Sequence, residues 1–261
     1  MDGIDEELAF LLRSDNRIEV LSALDDAAPL DRYELEGRLG ASRRTITRIV
    51  GTLSERGYLR ERDSGYALSA FGIAIARAYN GYRETAGLAD RYRLLLRHLD
   101  ADRLALDPEL LRGAELIVAT ESSPYAILDR MLQLRAEATR VRELAPTVGA
   151  KSLGQLAERV EAEEGFEFEA VLPAPALDDA ASHPEYAEAQ RTIQASGAVD
   201  LYVSSASFSF VLGVMDGTAV VGVQVDDRPY ALVESTRPEF REWVDSRLDE
   251  YRAGATPITK C

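Results

Sequence analysis

The stretch that most constrains this chain runs from Ser42 to Tyr66 and reads SRRTITRIVGTLSERGYLRERDSGY. Ser42 is placed to cap a helix, its hydroxyl accepting from a first-turn N–H. Ile46, Ile49, Val50 and Leu53 then recur at helical spacing. That stripe has to face a core. At about 100° per residue, Arg44, Thr47, Arg48 and Gly51 fall on the opposite side, with Arg43 at its edge. Gly57 is the left-handed residue that stops the helix. Tyr58-Leu59-Arg60-Glu61-Arg62 then alternates, and Ala67-Leu68 returns across Asp63-Ser64-Gly65 as a short β-hairpin anchored by Tyr58 and Leu59.

The preceding residues supply the partners. Ile4, Leu8, Leu11 and Leu12 share one face of a short helix stopped near Ser14-Asp15-Asn16. Asn16 is placed to cap a second helix, Arg17 to Ala27, with Ile18, Leu21 and Leu24 inward and Pro29 closing it. Asp31 caps a third, Arg32 to Leu39, with Glu34 at the capping-box position and Leu35 and Leu39 inward. Gly40-Ala41 then turns the chain into Ser42. Helix, tight turn, helix and hairpin in this order make a winged helix-turn-helix, whose second helix enters the DNA major groove. Guanidinium groups and hydroxyls read base edges and grip phosphates. Ser42, Arg43, Arg44, Thr45, Thr47 and Arg48 are therefore the expected DNA contacts of the helix, and Arg60 and Arg62 those of the wing.

A net charge of -15 looks wrong for a partner of DNA until it is divided along the chain. Residues 1–100 carry 17 acids and 15 bases, and residues 101–261 carry 28 and 15. Between Ser42 and Arg62 six arginines face only Glu55 and Glu61, so the basic surplus is local. Only two lysines, Lys151 and Lys260, occur beside 28 arginines. A GC-rich coding sequence accounts for this, and so does the acidic surface of a salt-in halophile. Cys261 is the single cysteine, and His98 and His183 lack zinc spacing, so neither a disulfide framework nor a metal or other cofactor is expected. With no signal pattern and no apolar run near the roughly 20 residues that span a bilayer, the expected location is cytoplasmic, away from membranes.

Ala70 to Leu99 is helical in pattern, with one stripe at Phe71, Ile75, Ala78 and Tyr82 and another at Leu88, Tyr92, Leu95, Leu96 and Leu99. Gly72, Gly81 and Gly87 interrupt it, each costing about 1 kcal/mol relative to alanine, so a bend is expected near Gly81 to Gly87. Such a helix either dimerises, setting two recognition helices on paired half-sites, or connects to the next domain by packing on its own chain. Beyond it strands and helices alternate. Strands are expected at Glu115–Thr120, Thr139–Ala145, Phe166–Leu172 and Val199–Ser204, and helices at Pro124–Glu137, Leu153–Glu164 and His183–Ser196. A hairpin, Phe208–Met215 and Thr218–Val225, turns at Asp216-Gly217, a pair suited to a type I′ turn, and a helix over Pro238–Arg252 follows. The expected fold is α/β overall: a winged helix over 1–69, a linking helix over 70–100, an α/β domain with a partly parallel sheet over 101–254, and a tail over 255–261.

The segments GFEFEAVLP, SGAVDLYVS, FSFVLGVMDGTAVVGVQV and ALVESTRPEFREWVDSRLDEYR are similar, in order, to the effector domain of archaeal methanogenesis and filament regulators, and more distantly to TrmB-type sugar-sensing regulators. Together with the N-terminal part, the chain resembles haloarchaeal and methanogen winged-helix transcription regulators over residues 16–253. The resemblance implies a C-terminal domain like a catalytically inactive half of a phospholipase D fold. That chemistry needs a histidine nucleophile followed two residues later by lysine. Here His98 is followed by Leu99-Asp100 and His183 by Pro184-Glu185, so no enzyme activity is expected.

For a small-molecule effector, the expected site is the loop Thr120-Glu121-Ser122-Ser123, at the end of a strand and the start of a helix, where hydroxyls and free N–H groups meet a helix dipole. Tyr202, Ser204 and Ser205 end a later strand and are expected at the same sheet edge, with Arg142 a further candidate. The resulting expectation is a dimeric, sequence-specific regulator of transcription that binds double-stranded operator DNA under effector control. Its alternatives are a protein-interaction module that docks through the acidic domain and a non-specific chromatin-associated DNA binder.

Overall fold

The computed structural model describes residues 2–162 and 165–258, the side chains of Asp2 and Ile4 excepted. The chain divides between Gly87 and Leu88 into two compact units.

The first unit contains α1 (Asp2–Leu12), α2 (Asp15–Ala27), α3 (Arg32–Leu39), α4 (Arg43–Glu55), the hairpin β1 (Leu59–Arg62) and β2 (Gly65–Leu68), and the start of α5 (Ala70–Arg91). The α4 stripe Ile46, Ile49, Val50 and Leu53 is fully buried, together with Val20, Leu24, Leu35 and Tyr58. In α3 the capping box is complete: Glu34 N donates to Asp31 Oδ1 and Asp31 N to Glu34 Oε2, each at 2.8 Å. Two expectations change at the N-terminus. The helix α2 begins at Asp15 after Ser14, not after Asn16. In α1 the inward residues are Phe10 and Leu11, while Leu8 and Leu12 stay 48% and 57% exposed and the side chain of Ile4 lies outside the described residues. Phe10 wins the inward position because its ring stacks near Tyr58 and lies under the guanidinium groups of Arg17 and Arg56.

The helix α5 runs unbroken through Gly81 and Gly87, and the interruption comes at Tyr92, before the short α6 (Arg93–Leu96). The face turned inward is Gly72, Ile73, Ala76 and Tyr79, with Ile75 partly buried, while Phe71 and Tyr82 stay 46% and 69% exposed. Gly72 decides this rotation: a Cβ there would lie 2.1 Å from the carbonyl oxygen of Tyr58. Ser69 Oγ accepts from Gly72 N at 3.0 Å and caps the same turn.

The second unit is built on an eight-stranded sheet. After a 3-10 turn (Pro108–Leu111) come β3 (Glu115–Val118), α7 (Ala126–Glu137), β4 (Arg140–Leu144), α8 (Ala150–Ala162), β5 (Glu167–Pro173) and α9 (Ala174–Ser182). A 3-10 turn (Pro184–Tyr186), α10 (Ala187–Ser196), β6 (Val199–Ser204), β7 (Phe210–Met215), β8 (Thr218–Val225), β9 (Arg228–Ser235), α11 (Pro238–Ala253) and β10 (Thr256–Pro257) complete it. The strand order is β10-β6-β5-β4-β7-β8-β9-β3, with β4, β5 and β6 mutually parallel and every other pair antiparallel. Both faces are covered. Val221 and Val233 join Phe240, Val244 and Leu248 of α11 on one side, while Val220 and Leu232 join Ile127, Met131 and Ile193 on the other. This explains why β8 reads as a continuous apolar run.

Several elements depart from the sequence reading. The expected helix from His183 is a 3-10 turn followed by α10, and the expected helix end at Glu164 lies outside the described residues. Strand β9, helix α9 and the short edge strand β10, which pairs with β6 inside the expected tail, are additions to the expected elements, and prolines obscure the first two. Pro175 lies in the first turn of α9, where its missing N–H costs no hydrogen bond. Pro229 sits at the register shift between β8 and β9, where a ladder bond is already absent. The Asp216-Gly217 turn has positive φ at Asp216 (47°) alone, so it is not type I′. The Asp216 carboxylate holds that geometry by accepting from Thr139 N at 3.0 Å and Arg140 N at 2.8 Å.

Candidate nucleic-acid interface

Cap chemistry at both ends defines α4. Ser42 Oγ accepts from Thr45 N at 3.3 Å and lies 2.9 Å from Thr45 Oγ1, so these two expected contacts are engaged with each other at the helix start. At the other end Gly57 has φ 79°, Gly57 N donates to Ser54 O and Tyr58 N to Leu53 O, the two bonds of a Schellman motif. The helix thus stops in register with the hairpin. The two-residue loop Asp63-Ser64 closes that hairpin, with Arg62 opposite Gly65.

Between these ends Arg43, Arg44, Thr47 and Arg48 are exposed along α4, and Arg60 and Arg62 along β1. Among the described residues none of these five guanidinium groups makes a hydrogen bond or ion pair. Arg60 and Arg62 are two apart and therefore share a strand face, with Glu61 on the other. Arg56 leaves the set of available cations: it pairs with Glu7 at 2.7 Å and covers the Phe10 ring. The sequence offered no signal for Glu7, which also accepts from the buried Tyr58 hydroxyl at 2.5 Å. Burial first, then that bond and the charge of Glu7, push the Tyr58 phenol well above its ordinary range. Positive charge also accumulates beneath the helix. Burial, followed by repulsion from Arg48, Arg56 and Arg13, lowers the Arg17 pKa.

The residues expected to hold an effector do not assemble. Thr120 Oγ1 lies 3.1 Å from Ser122 Oγ and accepts from Ser123 N, so the loop, with Glu121 exposed in it, closes on itself. Ser123 does not cap α7, which starts at Ala126 after Tyr125 with no side-chain cap bond. Tyr202 and Ser204 belong to β6, with five strands between it and β3. At about 4.8 Å per strand the separation is roughly 29 Å. The expectation fails because β3 returns to the sheet as an antiparallel edge beside β9. Tyr202 OH accepts from Arg252 at 3.2 Å, and Ser204 Oγ bonds the Ala206 backbone, with Ser205 exposed beyond it. Arg142 is an ion-pair hub for Glu169, Asp245 and Asp249 at 2.9, 2.8 and 2.5 Å.

A family model described as the HVO_A0261 N-terminal domain matches residues 5–91, from α1 to the end of α5. One described as the middle domain of the methanogenesis regulatory protein FilR1 matches residues 124–254, just over half of the chain. The chain belongs to the FilR1 family. Its FilR1-type segment spans α7 to α11 and leaves the edge strand β3 outside. No curated protein matches the chain. Solved structures similar to this FilR1-family chain include TrmBL2, an archaeal chromatin protein with a novel mode of DNA binding, at 11% identity and TM-score 0.43 over 96% of this chain and 98% of that one. Polyphosphate kinase from Porphyromonas gingivalis is 12% identical with TM-score 0.36, covering 61% of this chain and 29% of its own. A putative IclR-family regulator from Rhodococcus sp. is 17% identical with TM-score 0.21 over 94% of each chain. At these scores none of the three bears on function. Among the described residues no helix is long and apolar enough to cross a membrane.

Proposed function

We propose that this FilR1-family chain is a transcriptional regulator that binds double-stranded DNA sequence-specifically through a winged helix-turn-helix. The observation that carries the reading is the set of five exposed arginines, unpaired among the described residues, on one capped helix and its hairpin, in a chain of net charge -15. In this reading α4 enters the major groove. Arg44, Thr47 and Arg48 face base edges, Arg43 grips a flanking phosphate, and Arg60 and Arg62 lie on wing-side phosphates. Ser42 and Thr45 serve mainly to hold the helix start. The exposed series Phe71, Ala78 and Tyr82 on α5 supports homodimerisation, which sets two recognition helices on paired half-sites.

The C-terminal domain acts as a non-catalytic effector domain: its histidines lack the partner lysine of phospholipase D chemistry, and His183 lies beside Glu185 and Asp179. An effector alters DNA affinity only through its different affinity for the two states of the protein. Selection of bound duplexes from random DNA tests the reading. Enrichment of one palindromic site supports it, uniform recovery favours a chromatin-type binder, and no recovery favours a protein-interaction module.

A further inference from the structure

The crossovers from β4 through α8 to β5, and from β5 through α9 and α10 to β6, lie on one face of the parallel strands and leave a cavity of about 390 Å³ between them. Protein interiors leave few voids larger than a water molecule, and small-molecule sites begin at about 300 Å³. Ala170 and Leu172 of β5 form its floor, and Leu156, Leu177 and Ile193 of the three helices its walls. Ile258 lies on its rim, held by a bond from its N–H to Leu201 O at 2.8 Å, where the chain leaves the edge strand β10.

One end of this apolar space is polar and rigid. Glu143 is 6% exposed and lines the cavity. Arg135 donates twice to its Oε2, at 3.0 and 2.8 Å, and a third time to Ser152 Oγ at 3.0 Å. Among the described residues Glu143 Oε1 accepts no hydrogen bond. The Arg135–Glu143 pair is charge-balanced, and the further cation of the lining, Arg159, is engaged with the backbone carbonyls of Arg135 and Ala138. A guest that brings a donor satisfies that acceptor, and a purely apolar guest leaves it unused.

We infer that this cavity is the effector site of the C-terminal domain and takes a neutral, mainly apolar small molecule with a hydroxyl or N–H group that donates to Glu143. The inference rests on the sensing half of the proposed function. Binding is measured on this chain free of DNA, so its outcome and the outcome of DNA selection are independent.

The test is methyl NMR of the full chain titrated with 1-octanol and, separately, with methyl octyl ether, which keeps the chain but lacks the donor. Saturable shifts centred on Leu156, Leu177 and Ile193, with the ether about tenfold weaker, are the expected result. Ala170→Leu fills the floor and should weaken octanol about tenfold or more. Should that variant fail to fold, the octanol–ether pair on the unmodified chain decides alone. Silence of the methyls of these three residues up to the solubility of octanol overturns the site, as do shifts centred on the exposed Leu8 and Leu12. Equal affinity of the ether overturns the donor assignment.

Discussion

Two sets of arginines, one in each unit, are used in opposite ways. In the sheet unit, Arg130 is fixed to Glu234, Arg135 to Glu143, and Arg142 to Glu169, Asp245 and Asp249, while Arg159 donates to the backbone carbonyls that end α7. On α4 and β1, Arg43, Arg44, Arg48, Arg60 and Arg62 stand exposed without such partners among the described residues. Charges buried against one another hold a fold in one arrangement, and losing one partner leaves the others uncompensated. Exposed like charges contribute little to folding and repel one another, which is the cost the proposed anionic partner would offset. An arginine therefore has to be read by its neighbours, and composition averages the two kinds together.

The sharpest way to break this contrast is Arg142→Met. Its side chain is 15% exposed and pairs with three carboxylates, of which Glu169 is also held by Arg252. The expected loss is about 3 kcal/mol of stability, moderated because Asp249 is largely exposed. Urea unfolding followed by Trp243, the single tryptophan, reports the unit concerned, and a loss under about 1 kcal/mol would erase the distinction. Arg44→Ala and Arg48→Ala should do the reverse. Each should weaken binding to a selected site by about 1–3 kcal/mol in fluorescence anisotropy and leave the unfolding midpoint nearly unchanged. Destabilisation comparable to that of Arg142→Met would place these side chains in the structural class.

Arg60→Ala and Arg62→Ala sharpen the comparison within the basic set. Each should lower the slope of log affinity against log salt by about 0.9, roughly equally across DNA sequences. A change that depends on sequence would move the wing into base readout. The smallest effect separates helix stability from helix charge. A methyl group added at Gly51 would meet no heavy atom within 4 Å, so Gly51→Ala should raise thermal stability by up to about 1 kcal/mol. A fall in DNA affinity with that gain would show that the methyl group meets the duplex.

Local rules made the N-terminal unit legible. The Asp31 and Glu34 box, the Ser42 cap, the Gly57 stop and the stripe at Ile46, Ile49, Val50 and Leu53 each act within a few residues along the chain. Their spacing therefore carries their meaning. The same period misleads in α5, where of the stripe Phe71, Ile75, Ala78 and Tyr82 only Ile75 is turned into the core and the other three are exposed. Which face turns in depends on Gly72 meeting the carbonyl of Tyr58, a contact that helical periodicity does not encode.

By itself, the sequence determined the capped helices, the hairpin, the alternation of strands and helices, and the concentration of basic residues on one short stretch. Tertiary structure alone decided that Glu7 removes Arg56 from that basic set, that five strands separate β3 from β6, and that the crossovers above β5 enclose a cavity. The physical reason is range. Caps, periods and turns are satisfied by neighbours in sequence, whereas ion pairs, strand order and voids depend on which distant segments meet after the chain has closed.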